Sequence, residues 1–374
     1  MTATRRAVLA GAAGLLASGV LAKVAPRGDH YSNAIVIDGL GGPDDPDGDD
    51  SPEHFALSPR GVEQLRNSGT TAFQVTVGDV GNEVSNWEST LANLAMTDRL
   101  IAANPQILMR ATSAADIRAA KAAGKVALVY GTQDTAMAGV LLDRLDVMNG
   151  LGVRVVQLTY NLRNLSGDGS LEPANAGLSK LGRATIARIE KNKQLLDLSH
   201  GGQLTISEAI AAATHPPTIS HTGCRSLHDN PRNVWDAELK ALADKGGVVG
   251  IYWMPFLVPN SKPMAVDLVR HMRHAVDVCG EDHVGIGTDG RLSKTIIDDK
   301  ARAAAAKTHK ERSARGISAP GEGPDVFTII PDLDSPMRFR LLSEALEKDR
   351  WPAARIDKVL GGNLLRLYGE VWGA

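Results

Sequence analysis

The chain has 374 residues, 43% of them hydrophobic, and a formal net charge of −2. That size and balance allow a large buried core and exclude a global bias toward nucleic acid or an anionic membrane surface. Aromatics make up only 4% against 38 glycines, which suits an α/β fold packed on small residues better than a β-sandwich.

Residues 1–28 read as an export signal and linker. Arg5 and Arg6 precede an apolar Ala/Gly/Leu run that ends at Ala22, with Val20 and Ala22 fitting a small-residue cleavage site. The run is short for a membrane span of about 20 residues. The paired arginines resemble a twin-arginine signal, which implies the twin-arginine export machinery as a partner and a periplasmic destination. An ordinary secretory signal or an uncleaved anchor is the alternative. Cys224 and Cys279 are the two cysteines, and free buried thiols are expected even in an oxidising compartment.

Residues 29–374 read as one domain. Apolar, β-branched runs at 34–38, 71–77, 126–130, 153–159, 194–198, 217–220, 247–253 and 283–288 alternate with helical spacing at 87–103, 113–123, 135–148, 177–192, 205–214 and 237–245. Eight strands alternating with helices predict a closed (β/α)8 barrel, an open doubly wound sheet being the alternative. Chemistry in such a barrel belongs at the C-terminal strand ends, where Asp38, Gln133, Tyr160, His200, His221 and Asp289 fall. The acidic run 43–53 reads as a solvated loop that lacks a full calcium-binding pattern. The charged run 294–323 reads as a surface helix or a flap over the barrel mouth. Segment 337–372 reads as helices closing the barrel, with Gly361-Gly362 as a helix break.

Two of the predicted strands end in the same dipeptide, Ser199-His200 and Ser220-His221. Adjacent parallel strands lie about 5 Å apart, so the two imidazoles can converge on one ion, and zinc accepts neutral imidazole in a tetrahedral set with room for water. Polar caps at two strand ends are the plainer alternative.

The motifs LDLSH at His200, SHTGCRSLHDNPRN from Ser220, HVGIGTDG at Asp289 and VLGGNLLRLY from Val359 together resemble the membrane (renal) dipeptidase family, metal-dependent barrel enzymes of the wider amidohydrolase group. The resemblance implies that His200 and His221 are ligands of one zinc, that Asp289 carries protons, and that Arg232 holds a substrate carboxylate in its guanidinium fork. It also marks departures. The family's aspartate-glycine-histidine-any-aspartate motif is here Asp38-Gly39-Leu40-Gly41-Gly42, its bridging carboxylate is replaced by Gln133 or shifted to Asp134, and a further histidine is Tyr160.

One zinc rather than two is therefore expected. His200, His221 and Asp289 are one candidate ligand set, with Gln133 as a weak fourth ligand or an orienter of water; a free Asp289 would instead be general base and acid. Tyr160 is a candidate donor to a developing oxyanion and a substrate contact. The leading reading is an exported metal-dependent hydrolase of dipeptides or similar small carboxylated amides. The alternatives are an inactive barrel binding a small carboxylated ligand, and a mononuclear hydrolase of another substrate such as a lactone. Oligomeric state is open, a homodimer included.

Overall fold

A computed structural model of the protein describes residues 30–48, 55–81 and 86–373. The predicted export signal lies outside the described residues, as does part of the acidic loop. No helix among the described residues is long and apolar enough to cross a membrane.

The fold is a (β/α)8 barrel. Its eight strands, Ile37–Asp38, Ala72–Thr76, Val126–Thr132, Val153–Gln157, Leu195–Asp197, Thr218–Thr222, Val248–Ile251 and Val284–Ile286, pair in parallel and in chain order. The ring closes through Gly39 N to Ile286 O at 2.8 Å and through a short parallel pairing of Gly41–Gly42 with Gly290–Arg291. All eight predicted strands are present, most of them shorter than their apolar runs. A ninth strand, Leu108–Arg110, pairs beside Val126–Leu128; three residues are too few to carry a periodic signal.

Helices cover the outside of the ring. Lys180–Lys191 starts at Ser179, whose hydroxyl accepts from Gly182 N, and Ala114–Ala122 starts in a reciprocal capping box between Ser113 and Asp116. The helix predicted over 135–148 begins only at Asp143. Asp134 takes Ala136 N at 2.6 Å and Gly139 is left-handed at φ 57°, so the intervening residues form turns with Val140 and Leu141 exposed. The C-terminal helices Arg338–Lys348, Ala353–Asp357 and Asn363–Trp372 close the barrel as expected. Between the last two, a π turn carries non-helical Gly361. A Cβ there would lie 2.5 Å from Ile35 O and 2.8 Å from Ile37 N, so glycine is what lets the helix reach the first strand.

The described part of the acidic loop is a structural tie rather than a solvated run. Asp44 accepts Ser293 N at 2.8 Å, and Asp45 accepts both N and Oγ of Ser58, each at 2.6 Å. Cys224 is buried, Cys279 is half-buried, and both are free thiols.

Candidate functional site

His200 lies just past the end of strand five and His221 near the end of strand six, and the local backbone explains how the two imidazoles meet. The sixth strand shifts register between Ile219 and Thr222, which re-aims the residues between, as a bulge does. Ser220 O then presses into the barrel wall. A Cβ on Gly250 or Gly287 would fall 1.9 or 2.0 Å from that oxygen, so the two glycines make the bulge possible. His200 and Asp289 are non-glycine residues in the left-handed region, at φ 63° and 53°. Such conformations cost about 1–3 kcal/mol each and gather at functional sites.

The two rings meet with Nε2 to Nε2 at 2.9 Å. Their outer nitrogens are both committed. Asn161 Nδ2 donates to Ile317 O at 2.8 Å, which turns Asn161 Oδ1 toward His200 Nδ1 at 2.6 Å; that nitrogen must carry the hydrogen. Ser220 Oγ donates to the Asp197 carboxylate at 2.5 Å and so accepts from His221 Nδ1 at 2.8 Å. Each Nε2 therefore presents a lone pair to the other. Burial, reinforced by the Arg232 guanidinium, holds both imidazoles well below their usual pKa, so a proton does not fill the gap. Two facing lone pairs backed by donors at Nδ1 suit a divalent cation.

Among the described residues no group of three or more His, Cys, Asp and Glu is placed to hold a metal. Asp289 borders the same cavity without completing such a group with the histidines, so the expected three-ligand set is not formed among the described residues. Gln133 also lines the cavity, but its Nε2 donates to Thr76 Oγ1 at 2.9 Å. Asp134 faces elsewhere, accepting Gly81 N at 2.8 Å and Ala136 N at 2.6 Å. Gln133 thus stands at the mouth and Asp134 in a turn.

The cavity holds about 350 Å³ and brings together Gln133, Tyr160, His200, Arg232 and Asp289. Arg232 is 3% exposed and lies over the Tyr252 ring at 6.0 Å, with no carboxylate in ion-pair distance among the described residues. A buried guanidinium without a counter-ion is a site for an anion. Burial pushes the Asp289 carboxyl up to about 6, against the pull of the Arg232 and Arg312 guanidiniums. Part of Asp289 stays open to the cavity. Tyr160 stacks on His200 with centroids 4.1 Å apart, and burial raises its pKa, so it remains a phenol.

Sequence reasoning offered the charged insertion as a surface helix or a flap over the mouth but singled out none of its residues. Its helix, Asp299–Ala314, buries no residue, yet Ala305, Thr308, His309 and Arg312 line the cavity together with Glu322. Arg312 donates to Tyr160 Oη at 3.1 Å and through Nε and Nη2 to both Glu322 oxygens at 2.7 Å. A single inward arginine on a helix of mixed charge carries no periodic signal, so nothing in the pattern separates it from its exposed neighbours.

Comparison with known proteins places the molecule among relatives. Residues 62–298 match the membrane dipeptidase family (peptidase family M19). A dipeptidase of Clonostachys rogersoniana is 32% identical over 41% of this chain, but the aligned parts span only 40% of that protein and 35% of an uncharacterised dipeptidase of Schizosaccharomyces pombe. An uncharacterised Klebsiella pneumoniae protein encoded in the pqqA 5′ region is 28% identical over 75% of this chain and 94% of its own. An amidohydrolase crystal structure from Pseudomonas aeruginosa superposes with a TM-score of 0.78 at 30% identity, covering 92% of this chain and 99% of that one. A metallopeptidase from Rhodobacter sphaeroides, liganded with a phosphinate mimic of the dipeptide L-Ala-D-Ala, superposes at 0.72 over 91% of this chain and 100% of that one. Its identity is 18%, a likeness of fold.

Proposed function

Because the chain belongs to the membrane dipeptidase family, we propose that it is an exported, metal-dependent hydrolase that cleaves the amide bond of dipeptides or similarly small carboxylated amides. The observation that carries this reading is one cavity lined by His200, Arg232 and Asp289, with His221 Nε2 facing His200 Nε2 behind it and no carboxylate in ion-pair distance of the buried Arg232 among the described residues. The arginine supplies an anchor for the substrate carboxylate. Its fork accepts two oxygens at once and fixes the orientation of a short substrate whose amide lies a few bonds away.

His200 and His221 would hold the metal, a zinc ion by the family's habit. A divalent ion held there would supply Lewis acidity toward a carbonyl and a bound water. Asp289, ionised above about pH 6, takes a proton from the attacking water and returns it to the leaving amine nitrogen. Tyr160 accepts a hydrogen bond from Arg312, which leaves its own O–H to donate to the carbonyl oxygen as negative charge gathers there; such a donor is worth about 2.7–4 kcal/mol.

The test is elemental analysis of the purified protein beside the His200→Ala/His221→Ala double variant, followed by a dipeptide hydrolysis screen. One zinc per chain, absent from the variant, with turnover of at least one dipeptide is the expected result. No zinc above the variant's background after zinc is supplied sinks the mechanism.

A further inference from the structure

The end of the inserted helix and the segment that follows it cross the barrel mouth and touch Tyr160 and neighbours of His200 and Arg232. Arg312 Nη1 donates to Tyr160 Oη at 3.1 Å. Ile317 O accepts from Asn161 Nδ2 at 2.8 Å and from Arg312 Nη2 at 3.2 Å. Pro320 O accepts from Asn230 Nδ2 at 2.7 Å, while Asn230 Oδ1 takes Arg232 N at 2.9 Å. Glu322 closes the loop on itself, accepting Arg312 through both oxygens and Ala319 N at 3.1 Å.

The contact at Asn161 has a chemical consequence. A carbonyl can only accept, so Ile317 O obliges the amide to present its NH2 outward and its Oδ1 to His200. An Oδ1 can only accept, so His200 must carry its hydrogen on Nδ1 and leave Nε2 bare. Without Ile317 O the Asn161 amide is free to turn over and offer NH2 to Nδ1; His200 then takes the opposite tautomer, with its hydrogen on Nε2 and no lone pair toward the cavity. His221 differs, because its tautomer is set by Ser220 and Asp197 inside the barrel.

We propose that residues 312–322 form a strap whose docking on Tyr160, Asn161 and Asn230 sets the tautomer of His200, and that Arg312 and Asn161 are positioning residues of the site. The inference deepens the hydrolase reading and rests on it only for the consequence at the metal. Partners that orient a ligating histidine change metal affinity by about ten- to a hundred-fold.

The experiment is a long-range proton–nitrogen NMR correlation on the metal-free full chain with 15N-labelled histidine, in the unaltered protein and in Arg312→Met and Asn161→Ala, with His200→Gln to assign the signals. His200 is expected as one Nδ1–H form in the unaltered protein and as a mixture in both variants, while His221 stays unchanged. Zinc affinity, read by chelator competition, is expected to fall about ten- to a hundred-fold in each. Glu322→Gln, a milder change that weakens the clamp on Arg312, is expected to shift His200 part of the way. His200 held in a single form in all three with zinc affinity unchanged overturns the proposal. So does a joint change at His200 and His221, which reports general loosening. Absence of zinc binding and turnover in the unaltered protein overturns the hydrolase reading instead, and the tautomer signal still decides the strap on its own.

Discussion

The two sides of the barrel mouth are built from the same kind of strand end and have opposite capacities. On one side His200 and His221 rest on Asn161, Ser220 and Asp197, each turned so that its Nε2 lone pair faces the other ring. On the other, the Asp38 carboxylate is spent on the fold. It accepts Thr288 N at 2.8 Å, Thr288 Oγ1 at 2.6 Å and Leu40 N at 3.3 Å, and burial raises its pKa to about 7. Leu40 is buried, and Gly41 and Gly42 pair with Gly290 and Arg291. A strand end is therefore not a site by position alone. What makes it one is the layer behind it, which fixes a lone pair on one side and consumes a carboxylate on the other.

The largest expected effect breaks the competent side. His200→Ala/His221→Ala should abolish zinc binding and bring turnover to background, while the fold persists, because the change removes two lone pairs that oppose each other without a cation. Circular dichroism beside metal analysis checks both halves of that statement. Next is Asp289→Asn, which removes the proton carrier and should lower kcat/KM by about 10²–10⁴ with zinc retained. In the unaltered enzyme activity should fall as pH drops through about 6, where Asp289 takes up its proton. The stability effect runs the other way. The folded pKa lies above the ordinary 3.8, so between about pH 4 and 6 the folded state binds the extra proton and stability declines as pH rises. Asp289→Asn should thus raise Tm at pH 8 and leave it unchanged below pH 4, in metal-free protein; a variant that loses zinc as well would instead mark Asp289 as a ligand.

How much of this was legible follows from where the information resides. The ring of eight strands was readable because each buried strand is a run of apolar, β-branched residues, and His200 and His221 because their matched Ser-His ends stand at consecutive strands. Arg232 stood out only through the resemblance; a lone arginine in a loop looks like a surface ion pair. Of the strap, only a charged run with the option of a flap over the mouth was legible; its contacts were not. Its work is done by the carbonyls of Ile317 and Pro320, and a backbone carbonyl leaves no mark on residue type. The turn at 135–142 was misjudged because its apolar residues keep a helical spacing while Asp134 and left-handed Gly139 direct the backbone otherwise.

Gln133 and Asp134 sharpen the comparison at an intermediate scale. Asp134→Ala removes the acceptor of two turn amides and should cost about 1–3 kcal/mol of stability by denaturant unfolding. Gln133→Ala, half-buried at the mouth, should stay within about 0.5 kcal/mol. Equal costs would mean that the two side chains share one role, contrary to their separate partners.

The smallest expected effect is Gly42→Asp, which returns a carboxylate to the side that lacks one. Gly42 is not left-handed, and the nearest atom to a Cβ placed there is Val75 Cγ1 at 3.8 Å, ordinary contact. It borders a second cavity of about 590 Å³ that shares Gln133 and Asp289 with the first. The new side chain has room and water, so stability should move by no more than about 0.5 kcal/mol. Zinc should remain at one per chain, because a lone carboxylate beside a buried leucine and an amide lacks the donors that a second ion requires. Leu40→His makes the contrast: it buries an imidazole where the leucine is 2% exposed, and should cost about 1–3 kcal/mol unless a metal satisfies it. Only the two changes together should bring a second zinc. A second ion in Gly42→Asp alone would mean that the first strand end keeps ligands beyond those named, and the contrast between the two sides would be one of degree.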